Sequence, residues 1–308
     1  MALLAVGVLA LAGAACGGGA SERPPPPLGV PVANLPTSKV SHVVVIVMEN
    51  KEYGDVIGSR HAPYLNGLAR RYAAPRSLYG IRHPSLPNYL AMIGGRTFGI
   101  EDDCTSCSVN GASLPDQLES AGRTWRAYMQ GLPHPCFKGA ERHGYAKKHD
   151  PFMYFDSIRG SARRCGRVVP YSQLGRDLRD GALPDFAFVS PDLCADTHDC
   201  SVRTGDRFLE GLVPALLREL GPHGMLIVTY DEGTSDRGCC GVAHGGRIAT
   251  VVGGPDVRHG ATGGEKYSTY SILRTIEDFF GVPPIGKAAG ARPLDALFRQ
   301  PPRAERRG

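Results

Sequence analysis

The stretch Val43-Val44-Val45-Ile46-Val47-Met48, followed at once by Glu49-Asn50, decides how the rest of the chain reads. Its residues are apolar without a break and mostly β-branched, so it offers no polar face. Such a strand is buried on both sides, as in a parallel sheet covered by helices. Three further runs have the same character. Phe186-Ala187-Phe188-Val189 ends in Ser190-Pro191-Asp192, and Met225-Leu226-Ile227-Val228-Thr229-Tyr230 ends at Asp231-Glu232. Ile248-Ala249-Thr250-Val251-Val252 ends at Gly253-Gly254-Pro255. Between these runs, helical spacing of apolar residues predicts helices over 62–72, 88–93, 114–121, 208–220 and 270–280. Buried strands alternating with helices predict an α/β fold, with a mostly parallel central sheet covered on both faces.

In open sheets of this kind, ligands bind outside the carboxyl ends of the strands. Glu49, Asn50, Asp192, Asp231 and Glu232 should therefore meet at one edge. A single strand-end aspartate is ordinarily a turn or helix cap. Oxygen-bearing side chains behind three buried strands instead suit a divalent cation, which takes hard oxygen ligands.

The segment His83-Pro84-Ser85-Leu86-Pro87-Asn88-Tyr89 places a serine between two prolines that restrict the backbone on either side. A helix opening near Asn88 puts that hydroxyl at a positive helix end, where an anion is well received. A serine activated there by a metal can attack phosphorus. The structural alternative is a helix N-cap. Histidines supply the next candidates. His83 lies two residues before the serine, His149 lies in Lys147-Lys148-His149-Asp150-Pro151-Phe152, and His244 follows a Gly/Cys-rich loop. His198 is crowded by Asp192, Asp196 and Asp199, and carboxylates favour a charged imidazole. Such a group is suited to bind phosphate or protonate a leaving alkoxide. His244 suits metal ligation or phosphate contact. The chain has neither a Walker loop nor a Gly-x-Ser-x-Gly elbow, which argues against a nucleotide-driven enzyme and an ordinary α/β-hydrolase.

Bulk properties narrow the setting. Net charge is +5 in 308 residues and is spread along the chain, so no nucleic-acid partner is expected. Residues 1–16 read as an export signal. Small residues before Cys16 match a lipoprotein cleavage site, and a plain signal peptide cut near Ala15 is the alternative. Residues 17–38, rich in Gly and Pro, read as a tether; 39–298 as the folded domain; and 299–308 as a basic tail. Beyond Cys16, eight cysteines remain, an even number that suits disulfides in an exported protein. Cys104 with Cys107, Cys194 with Cys200, and Cys136 with Cys165 are candidate pairs. Cys239-Cys240 forms either a vicinal bridge or two bonds elsewhere. Zinc at Cys104-x-x-Cys107 is the rival reading.

The ordered set Val47-Met48-Glu49-Asn50, His83 to Tyr89, Lys148-His149-Asp150-Pro151-Phe152, Ser190-Pro191-Asp192 with His198-Asp199, Gly205-Asp206, and Val228 to Gly233 resembles the bacterial phosphoesterase family of secreted acid phosphatases and phospholipases C. Its mycobacterial acid phosphatase branch is the nearest likeness, and the match runs over about residues 40–285, most of the chain. The resemblance implies an alkaline-phosphatase-like three-layer α/β/α sandwich and a serine nucleophile that becomes phosphorylated. It implies a metal site of Glu49, Asn50, Ser85, Asp231 and Glu232. His149 and His198 would contact phosphate or act as acid, Asn50 and His83 would help bind substrate, and Asp192 and His244 are weaker candidates. One divalent ion fits the paired carboxylates, with a second left open. The expected substrate is a phosphorylated small molecule or lipid, most simply a phosphomonoester hydrolysed below neutral pH. A phosphodiesterase of phospholipase C type, and a non-catalytic lipid-anchored binding protein, are the alternatives. Relatives often carry a histidine before the last helix's tyrosine, where this chain has Thr269.

Overall fold

The computed structural model describes residues 31–303, so the expected export signal with Cys16, most of the expected tether and the end of the basic tail lie outside the described residues. The central sheet has six strands. They are β1 Val43–Met48, β2 Trp125–Met129, β3 Val168–Pro170, β4 Phe186–Ser190, β5 Met225–Tyr230 and β6 Thr250–Gly253. Their spatial order is β3-β2-β4-β1-β5-β6. All neighbours run parallel except β6, which is antiparallel to β5. The opening stretch thus forms a central strand, buried at every position.

The α/β expectation holds, with local differences. The fourth apolar run starts its strand at Thr250, because Ile248 is taken by an isolated bridge to Glu52. Strand β2 hides its pattern from the sequence because Arg126 interrupts the apolar run. The arginine is accommodated by an ion pair with Asp177.

The longer helices are α1 Pro63–Arg71, α2 Ser85–Gly94, α3 Leu114–Ser120, α4 Ser172–Arg179, α5 Val202–Glu219 and α6 Thr269–Phe280. Helices α1 and α4 pack with α5, and α2, α3 and α6 pack together, which gives a helical layer on each side of the sheet. Every residue of α2 is buried. It stops at Gly95, which has a φ of 65°, and a Cβ there would lie 2.3 Å from the Ile285 carbonyl oxygen. The expected Gly205-Asp206 motif lies within α5. The Asp206 carboxylate accepts hydrogen bonds from the Tyr64 and Leu65 amides at 3.0 and 2.8 Å, and so caps α1. Packed chain also begins before residue 38: Leu35 is buried, and Arg218 donates to its carbonyl.

Candidate active site and metal centre

Parallel register assembles the first part of the site. Met48 lies opposite Tyr230, so the chains leave β1 and β5 level and bring Glu49 beside Asp231. The Asp231 amide bonds the Met48 carbonyl at 3.0 Å. Asn50 takes a left-handed φ of 52°, which an asparagine tolerates, and its amide donates to Asp231 Oδ1 at 3.1 Å. Glu49 is fully buried. Its Oε2 accepts from Ser85 Oγ at 3.0 Å, and its Oε1 accepts from the Tyr89 hydroxyl. Glu232 Oε1 lies 3.4 Å from the same Ser85 oxygen, and its Oε2 meets His83 Nδ1. The other ring nitrogen of His83 lies 3.2 Å from the Ser235 carbonyl.

Ser85 is not a cap. Pro84 holds the N-cap position and Ser85 is the first helical residue, so its hydroxyl is free to face the carboxylates. The loop before it is fixed by Asn88, buried one turn into α2. Its Oδ1 accepts from the Ile81 and Arg82 amides at 2.7 and 3.2 Å. Its Nδ2 donates to the Arg82 and Pro84 carbonyls at 2.6 and 3.2 Å.

The loop after β4 supplies the second part. Asp192 Oδ1 is spent on the Cys194 and Ala195 amides at 3.1 and 2.8 Å, so this candidate shapes the turn. Asp196, four residues on, faces the centre instead. Glu49, His149 and Asp196 each offer a ligand atom within 4.8 Å of the others. His149 is buried, with Nε2 3.3 Å from Glu49 Oε2 and Nδ1 3.2 Å from Asp196 Oδ2. Its ring stacks on Tyr89 with centroids 5.3 Å apart. The Cys194–Cys200 disulfide closes this loop, Thr197 takes a φ of 81°, and the Thr197 hydroxyl donates to the Glu49 carbonyl at 2.8 Å. His198 sits nearer the surface, with Nδ1 2.7 Å from Asp199 Oδ1 and Nε2 3.3 Å from Lys148 Nζ. His244 is exposed and lies outside the buried cluster; its amide bonds the Ile81 carbonyl at 2.8 Å. Thr269 opens α6, buried, with its hydroxyl oxygen unpartnered.

The electrostatics fit a cation. Burial, then Asp231 and Asp196, push the Glu49 carboxyl well up. Burial and then Glu232 raise Asp231 to about 7, while burial and then Asp103 raise Glu232 to about 8. Asp196 is raised by burial first. Burial, Lys148 and His198 hold His149 well below the usual imidazole range. A buried neutral imidazole beside crowded carboxylates is a metal-ligand set that lacks only positive charge. Asn50 Oδ1, Asp231 Oδ2, Asp196 Oδ2 and His149 Nε2 are all buried without a hydrogen-bond partner. Atoms of this kind ordinarily find partners. A divalent ion would satisfy them, so the residues present fit one.

The fold and this edge define the class of protein: an α/β protein of alkaline-phosphatase build. A solved protein of the alkaline phosphatase superfamily from Vibrio parahaemolyticus matches with a TM-score of 0.54 at 13% identity, over 86% of this chain and 74% of that one. The PsFucS1 sulfatase from Pseudoalteromonas sp. matches with a TM-score of 0.56 at 14% identity, over 87% of this chain and 74% of that one. Likeness at this identity concerns the fold alone. The phosphoesterase family model matches residues 58–283, and the chain belongs to that family. A phosphatidylinositol-3-phosphatase of Mycobacterium tuberculosis is 34% identical over 301 residues, covering 96% of this chain and 94% of its own. An acid phosphatase of Aspergillus fumigatus is 26% identical over 270 residues, covering 83% of this chain; the match spans 58% of the fungal protein.

Sequence reasoning did not assign Asp196, Asn88, Tyr89, Lys148 or Asp103 to the site. Asn88, Tyr89 and Lys148 stood inside the quoted motifs, so adjacency was an available signal. In the sequence Asp196 stands out only as charge near His198, and nothing local marks Asp103.

Proposed function

We propose that the protein is an exported, metal-dependent phosphomonoesterase that works through a phosphoserine at Ser85. The observation that supports this most directly is Ser85 Oγ at 3.0 Å from Glu49, inside a buried Glu/His/Asp cluster at the carboxyl edge of the sheet. Family membership makes phosphoric ester hydrolysis the chemistry to expect of that serine. The four disulfides among the described residues, Cys104–Cys107, Cys136–Cys165, Cys194–Cys200 and Cys239–Cys240, support an oxidising compartment, in keeping with residues 1–16 as an export signal.

Glu49, Asn50, His149, Asp196, Asp231 and Glu232, with the Ser85 oxygen, are the side chains that would hold one divalent ion. When bound, the ion supplies Lewis-acid charge that favours the serine alkoxide and offsets charge on the phosphoryl oxygens. Ser85 Oγ attacks phosphorus, giving up its proton to a carboxylate it already touches, Glu49 or Glu232. The phosphorus–oxygen bond to the alcohol breaks, and His198, at the outer rim, donates the proton that the alcohol takes away. Water then attacks the phosphoserine with His198 as base, and the departing Ser85 oxygen takes its proton back from that carboxylate as phosphate is released. His83 steers Glu232 through its ring contact.

The test is Ser85→Ala on p-nitrophenyl phosphate, with EDTA treatment and metal add-back. Activity should fall by about 10³-fold or more in the variant. EDTA should abolish wild-type turnover, and metal should restore it. A Ser85→Ala protein with wild-type turnover overturns the assignment. Preference for bis-p-nitrophenyl phosphate would make the enzyme a diesterase. A phosphatidylinositol 3-phosphate is the first natural substrate to assay, given the name of the mycobacterial relative.

A further inference from the structure

Asp103 lies just before the Cys104–Cys107 loop and reaches back to the nucleophile's helix. Its Oδ1 accepts from the amide of Leu86, the residue after Ser85, at 2.9 Å. Its Oδ2 accepts from Lys148 Nζ at 3.0 Å. The same ammonium lies 3.3 Å from His198 Nε2. A carboxylate is therefore held by a backbone amide beside the serine and by a lysine beside the acid candidate. Amide plus ammonium is also how proteins grip two oxygens of a phosphoryl group. Neither side chain is sealed off, with Lys148 21% and Asp103 26% exposed. Other nearby cations are already committed: Lys51 donates to the Thr197 carbonyl at 2.8 Å, and Arg82 pairs with Glu101 at 2.8 Å. A cap for α2 would need only the Leu86 amide, as Asp206 takes only amides of α1; the Lys148 ammonium is what adds the second, cationic donor.

We propose that Lys148 and the Leu86 amide form the seat for two phosphoryl oxygens, and that Asp103 fills this seat as an exchangeable counterion in the free protein. The proposal rests on Ser85 as nucleophile. Substrate and inorganic phosphate displace the Asp103 carboxylate to enter, and its return helps expel the product. Lys148 is then a catalytic residue that touches the phosphoryl group, and Asp103 sets how tightly phosphate is kept. No covalent step is added: the exchange swaps one anion for another on the same two donors.

The experiment measures the Ki of inorganic phosphate against p-nitrophenyl phosphate, and phosphate binding by calorimetry, on metal-supplemented full-length protein. Asp103→Asn should lower the Ki by about threefold or more, and Lys148→Met should raise it about tenfold. The double variant should stay as weak as Lys148→Met, and Lys148→Arg should recover part of the loss. Melting temperatures check that each variant is folded. If the pair is only structural, the neutral double variant returns to wild-type phosphate affinity, which overturns the proposal. An unchanged or raised Ki in Asp103→Asn overturns it as well. These results stand apart from the Ser85 assignment. Calorimetry reads the seat without turnover, and an active Ser85→Ala protein would sink the nucleophile even with the seat intact.

Discussion

Asn88 shows how much of the site depends on a residue with no chemistry of its own. Its amide is buried, and it meets backbone groups of Ile81, Arg82 and Pro84, the loop that delivers Ser85. Truncation would leave the buried Ile81 amide unpaired, at about 1–3 kcal/mol, the other three contacts being only part-buried. It would also let Ser85 drift, and in the proposed reaction a misplacement of about 1 Å is enough for a large rate loss. Asn88→Ala should therefore lower stability by about 1–3 kcal/mol in urea titrations and cut kcat by about 10- to 100-fold. A native-like melt with wild-type kcat would show that Asn88 is not what positions Ser85. The tyrosine next to it contributes in another way. Tyr89 bonds Glu49 and stacks on His149, so it links the carboxylate and imidazole arms of the cluster.

Helix α6 carries a titratable group remote from the chemistry. Glu277 is buried; its Oε1 accepts from the Ile285 amide at 2.8 Å, and its Oε2 has no partner. Burial raises its carboxyl to about 7, against which the Ile285 amide and Gln117 act more weakly. Below the usual glutamate range the group is protonated in both folded and unfolded chains. As pH climbs from there through about 7, the unfolded chain gives up its proton first, so stability is lost. Glu277→Gln removes this loss. Its melting temperature should match wild type near pH 4 and exceed it by a few degrees at pH 8. A difference that does not change with pH would contradict the argument. At the same scale, the Cys194–Cys200 loop shows how an element is bent to a purpose. The disulfide, the Asp192 turn and the Thr197 backbone together turn Asp196 inward.

The whole molecule places excess negative charge at one edge of its sheet, and that arrangement costs stability unless a cation offsets it. Metal binding to the folded state alone should stabilise it by about 2.7 kcal/mol at a hundred times the dissociation constant. For a domain of this size, that is a rise of roughly 5–10 °C in Tm. Calorimetric scans with EDTA and with added metal should show this, and Glu49→Ala should abolish the shift. A Tm indifferent to metal would argue against the centre.

The amino-acid sequence by itself determined four of the six strands, the carboxyl edge of the sheet, and the stations of Glu49, Asn50, Ser85, Asp231 and Glu232, while β2 and β3 escaped it. Burial of a continuous β-branched run is a local property, and in a parallel sheet it dictates which end faces the ligand. Tertiary structure alone decided that Asp196 rather than Asp192 faces the cluster and that His149 is buried between two carboxylates. It also decided that Asp103 reaches the Leu86 amide. These outcomes depend on how loops far apart in sequence close over one another. A side chain's direction at a loop end is set by that closure, by a disulfide or a left-handed residue, and not by the spacing of its neighbours.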